Sequence, residues 1–326
     1  MLVTPPPGTP RRPAAGRCGL ADTDPDELGT AVLGAWDAFL DVVRSPATDL
    51  TLPSRLTGWR GQDVLVHLGS WPDCRVLDGL LASADTGGHG VSPPPDLAND
   101  ALVDAHRDAT AEQVVDALLV ARERIERFFG SDEAGTYGRL LARSTVGALP
   151  VASLVHAATF ELAVHALDLA PCGAPQPADA LLDRGLAALL DVTGSLTAAA
   201  GVEIELTGQT PGGGWAFTSD AGGWSVARTA AGPFAGVGAR GSAQDLLDTA
   251  AGRSHLPALL LSRRLQVQQL SQWMRLAPLL DDVPGLPGGA ALRTAVGGLS
   301  GVAGGLAGLA DGVSGGLSRA LGRFRR

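Results

Sequence analysis

The sequence predicts an α+β protein, an N-terminal bundle of four helices followed by a smaller α+β domain. Three observations predict it. Apolar residues recur at helical spacing through the first 170 residues, and short strand-like runs bounded by Gly, Asp or Pro appear after about 200. Between them Pro171, Gly173, Pro175 and Pro177 break the chain, which sets a boundary near 171–178. At 326 residues, 45% hydrophobic and 18% charged, the chain is long enough for two cores and has a globular composition.

Residues 1–24 read as a disordered lead. Four of the first ten are proline and no apolar core run is present, which argues against a signal peptide and makes cytoplasm the expected location. The bundle is expected over 25–172. Its first helix carries Leu28, Val32, Trp36, Phe39 and Val43 on one stripe. A second helix starts at about 61, with Val64, His67, Leu68, Trp71 and Leu77 in a comparable pattern. The Gly/Pro-rich stretch 84–100 reads as a loop. A third helix spans roughly 110–130 on Val114, Leu118, Ala121, Ile125 and Phe128, and a fourth covers about 150–170.

The α+β domain is expected over 178–280. A helix near 178–197 precedes the runs "VEIELTG", "GWAFTS", "GWSVAR" and "PFAGVGA", which read as strands. "SAQDLLDTAAGR" then places a serine cap before a helical run. Residues 284–326 form a Gly-rich tail with 13 glycines. Its apolar residues step by three and four, yet glycine disfavours a free helix. The tail is expected to be mobile and to become helical only against an apolar surface, such as a membrane surface or a protein.

Net charge is -9, and all 25 basic residues are arginines. That acidic balance argues against nucleic-acid binding, which needs a concentrated basic face. The three cysteines, Cys18, Cys74 and Cys172, have no CxxC spacing and form neither a disulfide framework nor a Cys-type zinc site. Cys74 is read as core filler.

The chemistry gathers in "FELAVHALDLA", residues 160–170. Glu161 and His165 lie four apart in an apolar run and point the same way on a helix. His156, nine residues before His165, falls on roughly the opposite side and is the poorer partner. Asp168 returns to the Glu161 face as an acceptor for a neighbouring ligand or a helix-end polar group. His67, on the apolar pattern of the second helix, is the expected third member. Two histidines and a glutamate with one open position are a recognised catalytic zinc arrangement.

"LTGWRGQDVLVHLGSW", followed about 95 residues later by "FELAVHALDLA", resembles the metal-binding domain of the mycothiol-dependent maleylpyruvate isomerase family, a DinB-like helical bundle. In that family a histidine after "GW…D…H" and an E-x-x-x-H pair bind a divalent metal. The matching positions are His67, Glu161 and His165. "GSAQDLLDTAAGR" resembles the end of the family's sterol-carrier-like C-terminal domain, so the likeness spans about 25–275.

The resemblance implies Zn2+ or another divalent metal, with mycothiol as the thiol cofactor and a small electrophilic or anionic substrate. The activated thiolate would add reversibly to a cis double bond, or be transferred to an electrophile. It also implies a substrate-binding arginine from the C-terminal domain, matched by Arg253 with Arg240 in reserve. Leu167 stands where the family often has an aromatic residue, and the tail is not part of the family core. A non-catalytic metal-containing module that binds a ligand or partner remains the alternative, and a bundle without metal a third reading.

Overall fold

The structure, a computed structural model, describes residues 11–88, 95–144, 147–273 and 275–276. Its helical N-terminal region and sheet-containing C-terminal region give the expected α+β class. The Gly-rich tail, His89 and the first ten residues lie outside the described residues.

The helical region contains α1 (Pro25–Val43), α2 (Gly61–Leu68), α3 (Val76–Asp85), α4 (Pro95–Ala105), α5 (Ala111–Phe129), α6 (Asp132–Tyr137) and α7 (Val151–Asp168). Asp24 opens α1 by accepting the Asp26 amide, with Pro25 in the first turn. Thr110 and Gln113 form a reciprocal cap at the start of α5. The expected second helix is two helices. Gly69 leaves α2 with extended backbone, and Trp71 and Cys74 then exchange backbone hydrogen bonds of 3.0 Å. Pro72 inside that turn cannot continue a helical ladder. The expected loop over 84–100 ends earlier than its composition suggested, because α4 begins at Pro95. Proline is well tolerated at a first helical position.

A two-stranded hairpin, β2 (Leu141–Ser144) with β3 (Gly147–Pro150), leads into α7. After α7 comes α8 (Asp179–Ala199), then an antiparallel meander of β4 (Ile204–Thr210), β5 (Gly213–Asp220) and β6 (Gly223–Thr229). β7 (Val237–Arg240) joins β4 in parallel, and β8 (Gln266–Gln268) pairs antiparallel with β7. Between them lie α9 (Ala243–Ala250) and α10 (Leu256–Leu261), and α11 (Leu270–Trp273) follows. Ser242 caps α9 through the Asp245 amide at 3.0 Å, as its sequence predicts.

The expectation of a disordered lead is corrected for residues 11–24. Arg17–Cys18 form β1, which pairs in parallel with Gly223–Trp224 of β6. Cys18 is fully buried, and the Leu20 amide donates to Asp191 of α8 at 3.0 Å. The proline-rich composition applies to the first ten residues, while Cys18, Leu20 and Ala21 have apolar surface to bury.

α8 is a wall shared by two cores. Leu181 and Leu182 join the bundle core, while Leu186, Ala187 and Leu190 join the core beneath the sheet. No helix among the described residues is long and apolar enough to cross a membrane.

Candidate metal centre

α7 is buried on most of its circumference, so it sits where facing helices can meet. α2 brings His67 to it. The Asp63 carboxylate accepts the Arg60 amide at 2.8 Å, fixing the start of that short helix, and Gly69 ends it just past His67.

One donor atom from each of His67, Glu161 and His165 lies within 4.8 Å of the others. His165 Nε2 is 3.3 Å from Glu161 Oε2, and His67 Nε2 is 3.8 Å from the same oxygen. The two imidazoles meet edge-on with centroids 5.2 Å apart. The Trp59 ring closes one side, 6.2 Å from His67. His165 is buried and Glu161 keeps 47% of its side-chain surface open, so the cluster has a protein floor and a solvent mouth.

Asp168 sets the chemistry of this cluster. Completely buried, it accepts from His165 Nδ1 at 2.9 Å. That bond places one hydrogen on Nδ1 and turns Nε2 toward Glu161. His165 Nε2, His67 Nε2 and Glu161 Oε2 then converge, where either a shared proton or a cation would satisfy them. Burial disfavours the His165 imidazolium, but Asp168 and Glu161 outweigh it and push the pKa up to about 9. Desolvation on its protein side would raise the Glu161 carboxyl, yet His165 and His67 hold it well below the usual carboxylate range. Asp168 is held down to about 2, against its burial, by His165 and Arg253. The cluster is thus arranged for positive charge, and two imidazoles plus a carboxylate suit a divalent metal of the zinc kind with a position left open.

Other candidates fall elsewhere. His156 is buried on the α8 side of α7, outside the cluster, and burial followed by the Arg184 charge lowers its pKa to about 4. Cys74 is half-buried against the core, in the turn between α2 and α3. Leu167 is in the core. His106 stacks on Trp71 and contacts Asp73 at 3.1 Å. Arg240 sits on β7 in register with Gln266.

Arg253 reaches the region, and each of its nitrogens makes a hydrogen bond within the protein. Nε and Nη2 go to Asp168, and Nη1 goes to the Ala251 carbonyl. Arg55 and Asp248, which join the same network, escaped the sequence reading. Arg55 is a single arginine in a loop, and no local sequence pattern links it to Asp248.

Residues 32–170 match the sequence family described as the mycothiol maleylpyruvate isomerase N-terminal domain, a span that holds all three clustered residues. Two solved structures are similar to most of the chain: a mycothiol-dependent maleylpyruvate isomerase and a histidine-to-alanine mutant of that enzyme. Each is 17% identical, covers 77% of this chain and 96% of its own, and has a TM-score of 0.46. No match is found among curated proteins.

Proposed function

We propose that His67, Glu161 and His165 hold one divalent metal, zinc by donor chemistry, in a mycothiol-dependent enzyme of the maleylpyruvate isomerase type. The observation that supports this is the convergence of three metal-capable donors within 4.8 Å, inside the segment that matches the family. When bound, a divalent cation here would leave a position for an external thiol and favour its thiolate form.

The chain's own residues do the rest. His165, fixed by Asp168, offers Nε2 inward. Glu161 supplies negative charge at the solvent mouth, and Trp59 walls the side beside His67. The proposed substrate is a small cis-unsaturated acid like maleylpyruvate, with transfer of the thiol to an electrophile as the second outcome. Residues 25–172 carry the metal site in this reading, and the region from 178 onward buttresses it. The cytoplasm, where low-molecular-weight thiols stay reduced, is the proposed location.

Metal analysis combined with thiol-dependent turnover tests the reading. The purified protein should carry stoichiometric metal, lose it on His67→Ala, and isomerise maleylpyruvate only when mycothiol is present. Retained metal without thiol binding or turnover would instead identify a non-catalytic module. A wild-type chain unable to take up a divalent metal would end the proposal.

A further inference from the structure

Asp168 is more than a partner for His165. Its Oδ1 accepts from Arg55 Nε at 3.0 Å and from Arg253 Nε at 3.2 Å. Its Oδ2 accepts from Arg253 Nη2 at 3.2 Å, and the same oxygen accepts from His165 Nδ1 at 2.9 Å. Arg55 turns its other two nitrogens onto Asp248 at 3.0 and 2.7 Å. The backbone repeats the pattern, with the Arg55 amide on the Asp168 carbonyl and the Arg253 amide on the Asp248 carbonyl. The charged side chains thus form a chain, Arg253–Asp168–Arg55–Asp248, across the end of α7, the loop before α2 and the end of α9, and the Arg253 amide on the Asp248 carbonyl ties its two ends together.

A partly buried ion-pair chain is weak evidence for stability by itself, because desolvation offsets much of the attraction. The shared Oδ2 gives this one a second consequence. The oxygen that orients His165 is pinned by an arginine from the sheet-containing region, so the angle of that imidazole depends on a segment about 90 residues further along the chain. Each nitrogen of Arg253 makes a hydrogen bond within the protein, and its grip on Asp168 is direct.

We propose that Arg253 is a positioning residue, holding the His165 ring through Asp168 and so latching the metal cluster to the C-terminal region. The metal half rests on the function proposed above; the positioning of the ring does not. Asp168→Asn should weaken zinc binding about 10- to 100-fold, as loss of a ligand's orienting partner does. Arg253→Leu, one step further out, should weaken it about 2- to 30-fold.

The full-length protein decides it through two readouts. Imidazole 1H–15N spectra of the metal-free chain should show a slowly exchanging His165 Nδ1–H that Arg253→Leu broadens or abolishes. Chelator competition should give the zinc Kd of wild type, Arg253→Leu, Asp168→Asn and the double variant. The double variant should be no weaker than Asp168→Asn alone. Arg264→Leu, which breaks the Arg264–Asp245 pair elsewhere on α9, should move neither readout. If the leucine variant fails to fold, Arg253→Lys keeps the charge but loses the fork, and should broaden the signal partially. An Nδ1–H signal as sharp as wild type in the folded Arg253 variant would overturn the proposal. So would additive effects on zinc affinity. If wild type takes up no zinc, the proposed function falls while the Nδ1–H signal still decides the positioning of the ring.

Discussion

His165 gives its Nδ1 hydrogen to Asp168 across 2.9 Å and, on its other side, brings Nε2 to 3.3 Å from Glu161. One imidazole is therefore held between two carboxylates, only one of them open to solvent. A ring gripped by Asp168 on the buried side keeps its orientation before any ligand arrives, which lowers the entropic cost of binding at Nε2.

From this arrangement His165→Ala should remove most of the bound metal, while His156→Ala should leave stoichiometry nearly unchanged. His156 lies on the same helix but packs toward α8, and its Nδ1 has no hydrogen-bond partner among the described residues. The His156 variant should show its effect in stability instead, by between about 0.5 and 3 kcal/mol. Metal analysis alongside denaturant titration separates the two effects. Equal metal loss in both variants would refute the assignment.

The site was legible because helical geometry is local. Four residues of spacing fix Glu161 and His165 on one face, and nine residues turn His156 away. The strands were legible too, since "VEIELTG", "GWAFTS" and "GWSVAR" each overlap an observed strand. Non-local dependence was harder to read. The apolar period ran through Gly69 and Pro72 as though the helix continued, and the turn that breaks it depends on Trp71 and Cys74 pairing. The lead at 11–24 is ordered by β6 and Asp191, more than 170 residues away. The bond between Arg253 and Asp168 was equally illegible, because it joins segments 85 residues apart that no local pattern connects.

Gly185 of α8 lets that helix approach α7 closely. A Cβ there would come within 2.5 Å of the Ala163 Cβ, and Ala163 lies between the two cluster residues of α7. Gly185→Val should therefore push the helices apart and cost about 1–3 kcal/mol, in the manner of an overpacked core. Denaturant midpoints check this, and an unchanged midpoint would show that the two helices have slack.

Gly19→Ala should destabilise more sharply. Gly19 adopts φ +56, and an added Cβ would collide with both Asp191 Oδ1 and Trp224 Nε1. The strain and the clash act together on the contact that orders the N-terminal segment. Hydrogen exchange should rise at Cys18 and Leu20 before it rises in α1. Unchanged protection there would sink the idea that this contact holds the segment.

Asp191 carries the last prediction. It is completely buried on α8, and its Oδ1 accepts from the Leu20 amide at 3.0 Å and from Trp224 Nε1 at 2.8 Å. Oδ2 makes no well-formed hydrogen bond; the Ser153 hydroxyl adds only a weaker attraction. Burial raises the carboxyl pKa to about 6, with Asp22 adding to the rise, while Leu20, Trp224 and Ser153 oppose it. A raised folded pKa means that the native state binds the proton more tightly than the unfolded chain does. The stabilisation is full below about 4 and is lost as pH rises through about 6, a change of roughly 3 kcal/mol. His156 works in the other direction. Its pKa is lowered to about 4, so its contribution is full above 6.5 and is lost as pH falls toward 4. The two groups therefore oppose each other across nearly the same range. Asp191→Asn keeps the Oδ1 acceptor, places a donor beside Ser153 and removes the titration. The variant should be more stable than wild type at pH 7–8, and its stability should rise with pH between 4 and 6.5 more steeply than that of wild type. Denaturant titrations at several pH values would measure both. A variant less stable than wild type at pH 8 would mean that the Asp191 carboxylate stabilises the fold in its charged form.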